Sequence, residues 1–318
     1  MCRGGDMAST NDFIKNYQQI NFKHPSRKDF ISIITPVFID AIGLDVTLNS
    51  LVRQSLGKTN FEIIVGNDGG YESIRGVCKK YNVQCIDIIP RQGSYVARNT
   101  ALEESRGEFI AFIDADITAD KDWLKRGSEV VKNADYVGGV VLFDRKQLKK
   151  LAHYYESVIT FDNERLFKRY HFIPTANLFV KRRVFENIGG FDARLRSGGD
   201  LEFGNRVFMS KIYKMTFVHN IIVFHPPRGY TKLVHKFRRV IMGANDLTNY
   251  YPDRLAYMKP RFFRMITGPL ALVYKIIFKN NFGFIVKIKL VPFAFWFSLI
   301  MFYYRISIFY FGITKDRD

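Results

Sequence analysis

The residues best equipped for chemistry stand at the end of one apolar run. In Gly107 to Asp116, GEFIAFIDAD, the stretch Phe109 to Ile113 leads straight into Asp114 and Asp116. Two carboxylates one residue apart offer hard oxygen donors that a divalent cation can share, and such a cation can hold a diphosphate. Mg2+ and Mn2+ suit those donors equally. A solvated strand end with two chance acids is the plainer alternative. Asp68 lies in the glycine-rich turn GNDGG, where an exposed carboxylate can accept an N–H bond. Arg98 can carry a charge-assisted bond to a phosphate or a base. Asp200 follows Gly198-Gly199 and can take a proton or cap a helix. Glu202 is the competing carboxylate. In a helix it points about 200° away from Asp200, so the two cannot face one partner. His225, before Pro226-Pro227, is either a ligand or a structural strand end.

These groups need a scaffold that brings strand ends together. Asp29 to Val37 reads as a strand stopped by Pro36, and Leu44 to Leu56 has helical spacing of apolar residues before Gly57. Phe61 to Val65 is a second strand with the GNDGG turn after it. Tyr71 to Tyr81 suits a helix, Cys85 to Ile89 a strand and Tyr95 to Ser105 a helix before the Asp-Ala-Asp strand. Strand and helix therefore alternate, the pattern of a parallel α/β sheet. Open sheets of that kind place ligands beyond the carboxyl ends of their strands. Further on, the sequence predicts helices over Asp122 to Lys132, Leu148 to Lys168, Val184 to Ile188 and Leu201 to Met209. It predicts strands over Tyr136 to Phe143, Pro174 to Val180 and Phe217 to Phe224.

The chain has 318 residues, enough for a sizeable core. Its formal net charge is +18, which points to an anionic partner: nucleic acid, a phosphate-bearing substrate or an anionic membrane. Cys2, Cys78 and Cys85 are sparse and irregularly spaced, which argues against a disulfide framework or a zinc site. The N-terminus carries no apolar core of a secretory signal, so a cytoplasmic setting is the default. Residues 1–28 read as a polar leader packed loosely on the domain.

Taken together, ISIITPVF, GNDGG, RQGSYVARNTALEESRGEFIAFIDAD and GGFDARLRSGGDLEFGNR resemble the family 2 glycosyltransferases of the GT-A fold. The resemblance covers residues 30 to 228 and implies a mixed, mainly parallel sheet flanked by helices. It implies an inverting, metal-dependent transferase that moves a sugar from a nucleotide-diphosphate sugar to an acceptor hydroxyl, with a UDP-sugar the leading donor. Under it Pro36 shapes the loop over the base, Asp68 bonds the base, Arg98 meets phosphate or base, and Asp114 meets the ribose. Asp116 ligates Mn2+ or Mg2+, with His225 as a late partner. Asp200 is the general base, in a motif where the family has Glu-Asp and this chain has Gly199-Asp200. Gly198 and Gly199 let backbone approach the sugar, and Glu202 lies beside the acceptor. The Gln/Arg-x-x-Arg-Trp motif of processive synthases is missing, since the only tryptophans are Trp123 and Trp296. Transfer of single sugars or short chains is therefore expected.

Residues 229–318 form a basic and then apolar helical extension. Leu270 to Phe278 and Leu290 to Ile313 are rich in aromatic and branched residues, with Lys275, Lys279, Lys287 and Lys289 among them and Arg305 interrupting the longer run. The segment either spans, which takes about 20 apolar residues, or lies in the interface plane. Attachment to the cytoplasmic face of an anionic membrane, peripheral or single-pass, is expected, and a sugar or lipid-linked acceptor in polysaccharide or glycolipid assembly fits it. The rival nucleotidyltransferase reading lacks a basic glycine-rich loop after the first strand, where Thr35 to Asp40 stand. A nucleic-acid-binding module has the charge but no motif, so no nucleic-acid partner is expected.

Overall fold

The structure, a computed structural model, describes residues 19–313. Its described residues form an eight-stranded sheet of order β3-β2-β1-β4-β7-β6-β8-β5. The strands are β1 (Arg27–Val37), β2 (Phe61–Asp68), β3 (Gln84–Ile88), β4 (Gly107–Phe112), β5 (Thr118–Ala119), β6 (Tyr136–Phe143), β7 (Leu178–Lys181) and β8 (Met215–His225). β3, β2, β1 and β4 are parallel, as the alternating pattern requires. β4 pairs antiparallel with β7, β6 with β7, and β5 with β8. The apolar runs of β1 and β4, with Ile31, Ile33, Ile34 and Phe109 to Ile113, are buried, as expected for strands covered on both faces.

Helices α1 (Ala41–Leu51), α2 (Glu72–Tyr81), α3 (Ser94–Glu103) and α4 (Trp123–Val131) follow the first strands in turn. The span expected to be one helix from Leu148 to Lys168 is two: α5 (Leu151–Ile159) and α6 (Asn163–Tyr170). Phe161 between them has φ 59°, and a right-handed helix cannot pass through that conformation. Pro174 to Val180 is also not one strand. A 3-10 turn at Thr175–Asn177 precedes β7, because the buried Asn177 side chain is taken up elsewhere. Its amide donates to Val140 O at 2.9 Å and Ile221 O at 3.0 Å, and its oxygen accepts from Trp123 Nε1 at 2.9 Å. Next come α7 (Arg182–Ile188), α8 (Gly199–Met209), α9 (Tyr230–Tyr250), α10 (Pro252–Leu255), α11 (Phe262–Phe278) and α12 (Phe284–Phe311).

The leader expected over residues 1–28 lies largely outside the described residues, as does Cys2. Its described end is not loosely packed. Ile20 is buried, Arg182 donates to His24 O at 2.8 Å, and its guanidinium lies 3.7 Å from the Phe22 ring centroid. Cys78 and Cys85 are free thiols.

The chain divides into two compact units. Among the described residues, the first holds 19–141, 163–193 and 199–224 and contains most of the sheet. The second holds 142–162, 194–198 and 225–313, so it takes in residues 142–162, 194–198 and 225–228 of the span expected to be catalytic. It has its own core, in which α5, α9, α11 and α12 bury Tyr155, Leu233, Ile276, Leu290, Phe297 and Met301.

Candidate functional site

Parallel register decides which residues share one edge of the first unit. Val37 lies opposite Asn67, Ile34 opposite Phe112, and Asp68 opposite Ile88. The carboxyl ends of β1, β2 and β4 therefore emerge together, and Asp68, Asp114 and Asp116 follow them. Pro36 does not stop β1 as expected. It is buried inside the strand opposite Gly66, and β1 continues to Val37.

The Asp-Ala-Asp turn is pinned from a distance. Thr47, buried on α1, accepts from Asp116 N at 3.0 Å and donates to Ile117 O at 2.8 Å through one hydroxyl. Asp116 itself has φ 145°, backbone that costs a side-chain-bearing residue about 1–3 kcal/mol and persists only where its surroundings hold it. Its side chain is half-exposed. The start of α1 lies against it, since a Cβ on Gly43 would come within 3.1 Å of Asp116 Cβ.

Arg98, on α3, is buried and reaches Asp114 Oδ1 through Nη2 at 2.6 Å. Asp114 remains half-exposed, so a buried cation orients a carboxylate that still meets solvent. Asp200 opens α8, and its Oδ1 accepts from Leu201 N at 3.0 Å. Burial pushes the Asp200 carboxyl above its usual range, and the Asp114 charge pushes the same way; Arg98 and the Leu201 N–H oppose them. Asp114, Arg98 and Asp200 thus form one electrostatic unit in which a single cation serves two carboxylates.

Several expectations are corrected here. Asp68 is not an exposed carboxylate. It is buried and holds its own loop, accepting from Gln92 N at 2.7 Å and from Gly93 N at 3.1 and 3.0 Å. About one of a carboxylate's four acceptor positions remains. Glu202 is not beside an open acceptor site. It is fully buried, pairs with Arg206 at 2.9 and 3.2 Å, and Arg206 fastens Ile188 O and Gly190 O. The open backbone expected at the two glycines is filled by side chains. A Cβ on Gly199 would stand 2.7 Å from the Tyr95 ring, and one on Gly198, which has φ 82°, 2.6 Å from Leu247. Tyr95 Oη also accepts from Gly199 N at 2.7 Å. The phenol therefore occupies the room into which a glutamate side chain at position 199 would point.

His225 belongs to the second unit. It is buried beside the rings of Phe143 and Phe161, with centroids 5.8 and 5.0 Å away. Burial, then the charges of Arg228 and Lys236, hold its pKa well below the usual imidazole value. Its Nδ1 lies 2.5 Å from Pro226 O, so Nδ1–H donates and Nε2 keeps the lone pair, the tautomer suited to metal ligation. Among the described residues no group of three or more His, Cys, Asp or Glu could hold a metal ion.

Sequence reasoning missed Thr47 and Tyr95, whose partners lie 69 and 104 residues away. It also missed a cluster at the same edge. The Arg91 guanidinium sits 3.9 Å from the Phe38 centroid, and Tyr71 meets Phe38 edge-on at 5.4 Å. Only the proximity of these residues to the ends of β1 and β2 could have signalled them.

Comparison with known proteins bears on the family and the fold. The model of glycosyl transferase family 2 matches residues 32–189. Glycosyltransferase AglE of Haloferax volcanii is 31% identical over 234 residues, covering 71% of this chain and 76% of that protein. Chondroitin synthase of Pasteurella multocida is 34% identical over 125 residues, 36% of this chain and 12% of that protein. Among solved structures, mannosyltransferase PcManGT from Pyrobaculum calidifontis, in complex with GDP-Man and Mn2+, superposes with TM-score 0.61 at 13% identity. The match covers 95% of this chain and 92% of that one. Staphylococcus aureus TarS 1–349 with UDP-GlcNAc gives TM-score 0.51 at 16% identity, over 91% and 93%. The structural likenesses carry the fold, the extent of the match to AglE carries the family, and the chain is a glycosyltransferase of family 2 with the GT-A fold.

Proposed function

We propose that this transferase takes a sugar from a nucleotide-diphosphate sugar and passes it, with inversion, to an acceptor hydroxyl in polysaccharide or glycolipid assembly. The observation that carries this is the pairing of buried Arg98 with Asp114, beside Asp200 with its raised pKa, at the carboxyl edge of β4. Asp200 takes the acceptor proton as the acceptor oxygen bonds to the anomeric carbon. The bond from that carbon to the diphosphate breaks on the opposite face, and the nucleoside diphosphate leaves. A carboxyl pKa raised above its usual range suits a general base. Asp114 meets the donor ribose, held in place by Arg98. Asp68 and Pro36 serve the base end, Asp68 by fixing the Gln92–Gly93 loop as well as by its remaining acceptor position.

Half-exposed Asp116 would hold Mn2+ or Mg2+ through its hard oxygens, and His225, kept neutral, has the chemistry of a further ligand. When bound the ion neutralises charge on the leaving diphosphate. UDP is the first choice of nucleotide, because TarS was solved with UDP-GlcNAc, although PcManGT holds GDP-Man. The acceptor is a sugar or lipid-linked sugar, and the second unit attaches the enzyme to an anionic membrane on the cytoplasmic side. Residues 29–228 supply the catalytic part and residues 229–318 the attachment.

The test is thermal shift with UDP, GDP, CDP and dTDP, each with and without Mn2+; a ligand in hundredfold excess over Kd stabilises by about 2.7 kcal/mol. One nucleotide should stabilise the protein more with Mn2+ than without, and Asp116→Ala should lose that increment while keeping its fold. A variant with the wild-type increment, or no response to any diphosphate, overturns the reading.

A further inference from the structure

Among the described residues α12 is the one helix long and apolar enough to cross a membrane. At 28 residues it extends about 42 Å, against a hydrocarbon core of about 30 Å. Its two faces differ. Leu290, Ala294, Phe297, Met301 and Ile308 are buried at helical spacing. Ile285, Ile288, Trp296, Leu299 and Tyr303 are exposed on the other side, Trp296 to 58%. The inner face is clamped to the rest of the second unit. Tyr155 of α5 lies 4.7 Å from the Phe297 ring, Phe237 of α9 lies 5.7 Å from it, and the Arg238 guanidinium sits 5.7 Å from the Tyr304 centroid. Helix α9 carries Lys232, Lys236, Arg238, Arg239 and Asp246, and α5 carries Glu156, buried with Lys236 and Arg228. Neither can enter hydrocarbon, where a charge at the centre is costly.

Helix α11 extends the exposed face. Phe263, Ile266, Leu270 and Tyr274 line its outer side, and Phe262 meets Phe302 of α12 at 6.2 Å. From residue 254 to residue 313 the chain has nine basic residues and no acidic one. An apolar surface set among lysines and arginines alone is complementary to an anionic lipid surface.

We infer that α11 and α12 form a platform that lies in the plane of one leaflet of an anionic membrane, and that α12 does not span the bilayer. A spanning α12 would have to leave α5 and α9 and dissolve the core of the second unit. This rests on the membrane attachment proposed above and fixes its mode.

Trp296 is a built-in depth gauge. It lies near the middle of α12, so a spanning helix would put it at the bilayer centre. An in-plane helix would hold it about 5–10 Å into the boundary between headgroups and chains. The only other tryptophan, Trp123, is fully buried in the first unit. The experiment uses the full chain and vesicles of equal parts phosphatidylglycerol and phosphatidylcholine, with spin labels near the headgroup or near the chain end. Trp296 emission should shift to the blue and be quenched more by the shallow label. Trp296→Phe should bind equally and lose the response. Lys279 and Lys289 are exposed, and the double variant K279Q/K289Q should bind about thirtyfold more weakly. Stronger quenching by the deep label would overturn the in-plane mode and leave membrane attachment standing. No vesicle binding would overturn both. A blue shift without lipid, together with a concentration-dependent dimer, would assign the face to a second copy of the chain. Binding that ignores the lysine changes would remove the anionic surface as partner.

Discussion

Asp200 in the first unit and Glu156 in the second are both carboxylates removed from bulk water, yet their environments treat them in opposite ways. Burial raises the Asp200 pKa and the Asp114 charge adds to the rise, while Arg98, which also pairs with Asp114, only partly opposes them. Glu156 is completely buried and has two cations to itself. It accepts from Arg228 N at 2.7 Å, Arg228 Nη1 at 2.8 Å and Lys236 Nζ at 2.9 Å. Burial alone would raise its pKa, but Lys236 and Arg228 outweigh that and hold it below the usual range. The under-neutralised carboxylate stores readiness to take a proton. The over-neutralised one stores conformational order. Counting acids in a sequence cannot separate them; the ratio of cations to carboxylates around each does.

The comparison breaks first at Glu156. Glu156→Gln strands two cations in the interior and should cost about 3–5 kcal/mol, read by urea unfolding. Its ionised form is favoured by the fold, so the contribution holds above the ordinary carboxylate pKa and fades as pH falls through the lower folded value. A neutral change in stability would put Glu156 in the class of Asp200. Next comes Asp200→Asn, which should lower turnover by roughly 10²-fold or more while leaving the melting temperature unchanged or higher. The sign follows because the fold disfavours ionised Asp200, so its charge costs stability as pH rises through the ordinary carboxylate value. Loss of stability with intact turnover would reverse the assignment. The finest test is Arg98→Gln. Arg98 lowers the Asp200 pKa, so its removal should move the acid limb of kcat to higher pH, measured at saturating donor. A limb that stays in place would uncouple Arg98 from Asp200.

The parallel half of the sheet and its strand-end aspartates were legible because they depend on local patterns: apolar runs, turn glycines and helical spacing. Gly199 shows where legibility stopped. The sequence leaves open backbone there, where the family has Glu-Asp, but Tyr95 from 104 residues earlier fills the space. Glu202 likewise reads as a site residue by neighbourhood. One hundred degrees per residue turns it to the inner face of α8, where Arg206 takes it. The break at Phe161 could not be read either, since left-handed backbone at a phenylalanine follows from tertiary packing and not from its own preference.

Thr47 touches none of the chemistry, but it constrains what the chemistry can become. Because one hydroxyl both receives the Asp116 amide and secures Ile117 O, the acidic turn is inherited as a pair of distant letters. Valine at position 47 would keep the shape and the helix but free a strained peptide to relax. A lineage could thus lose the orientation of Asp116 with its motif still intact. Conversely, Asp-Ala-Asp grafted onto a scaffold without such a hydroxyl would carry the right residues in the wrong posture. The unit of descent at this edge is the turn together with its remote fastening.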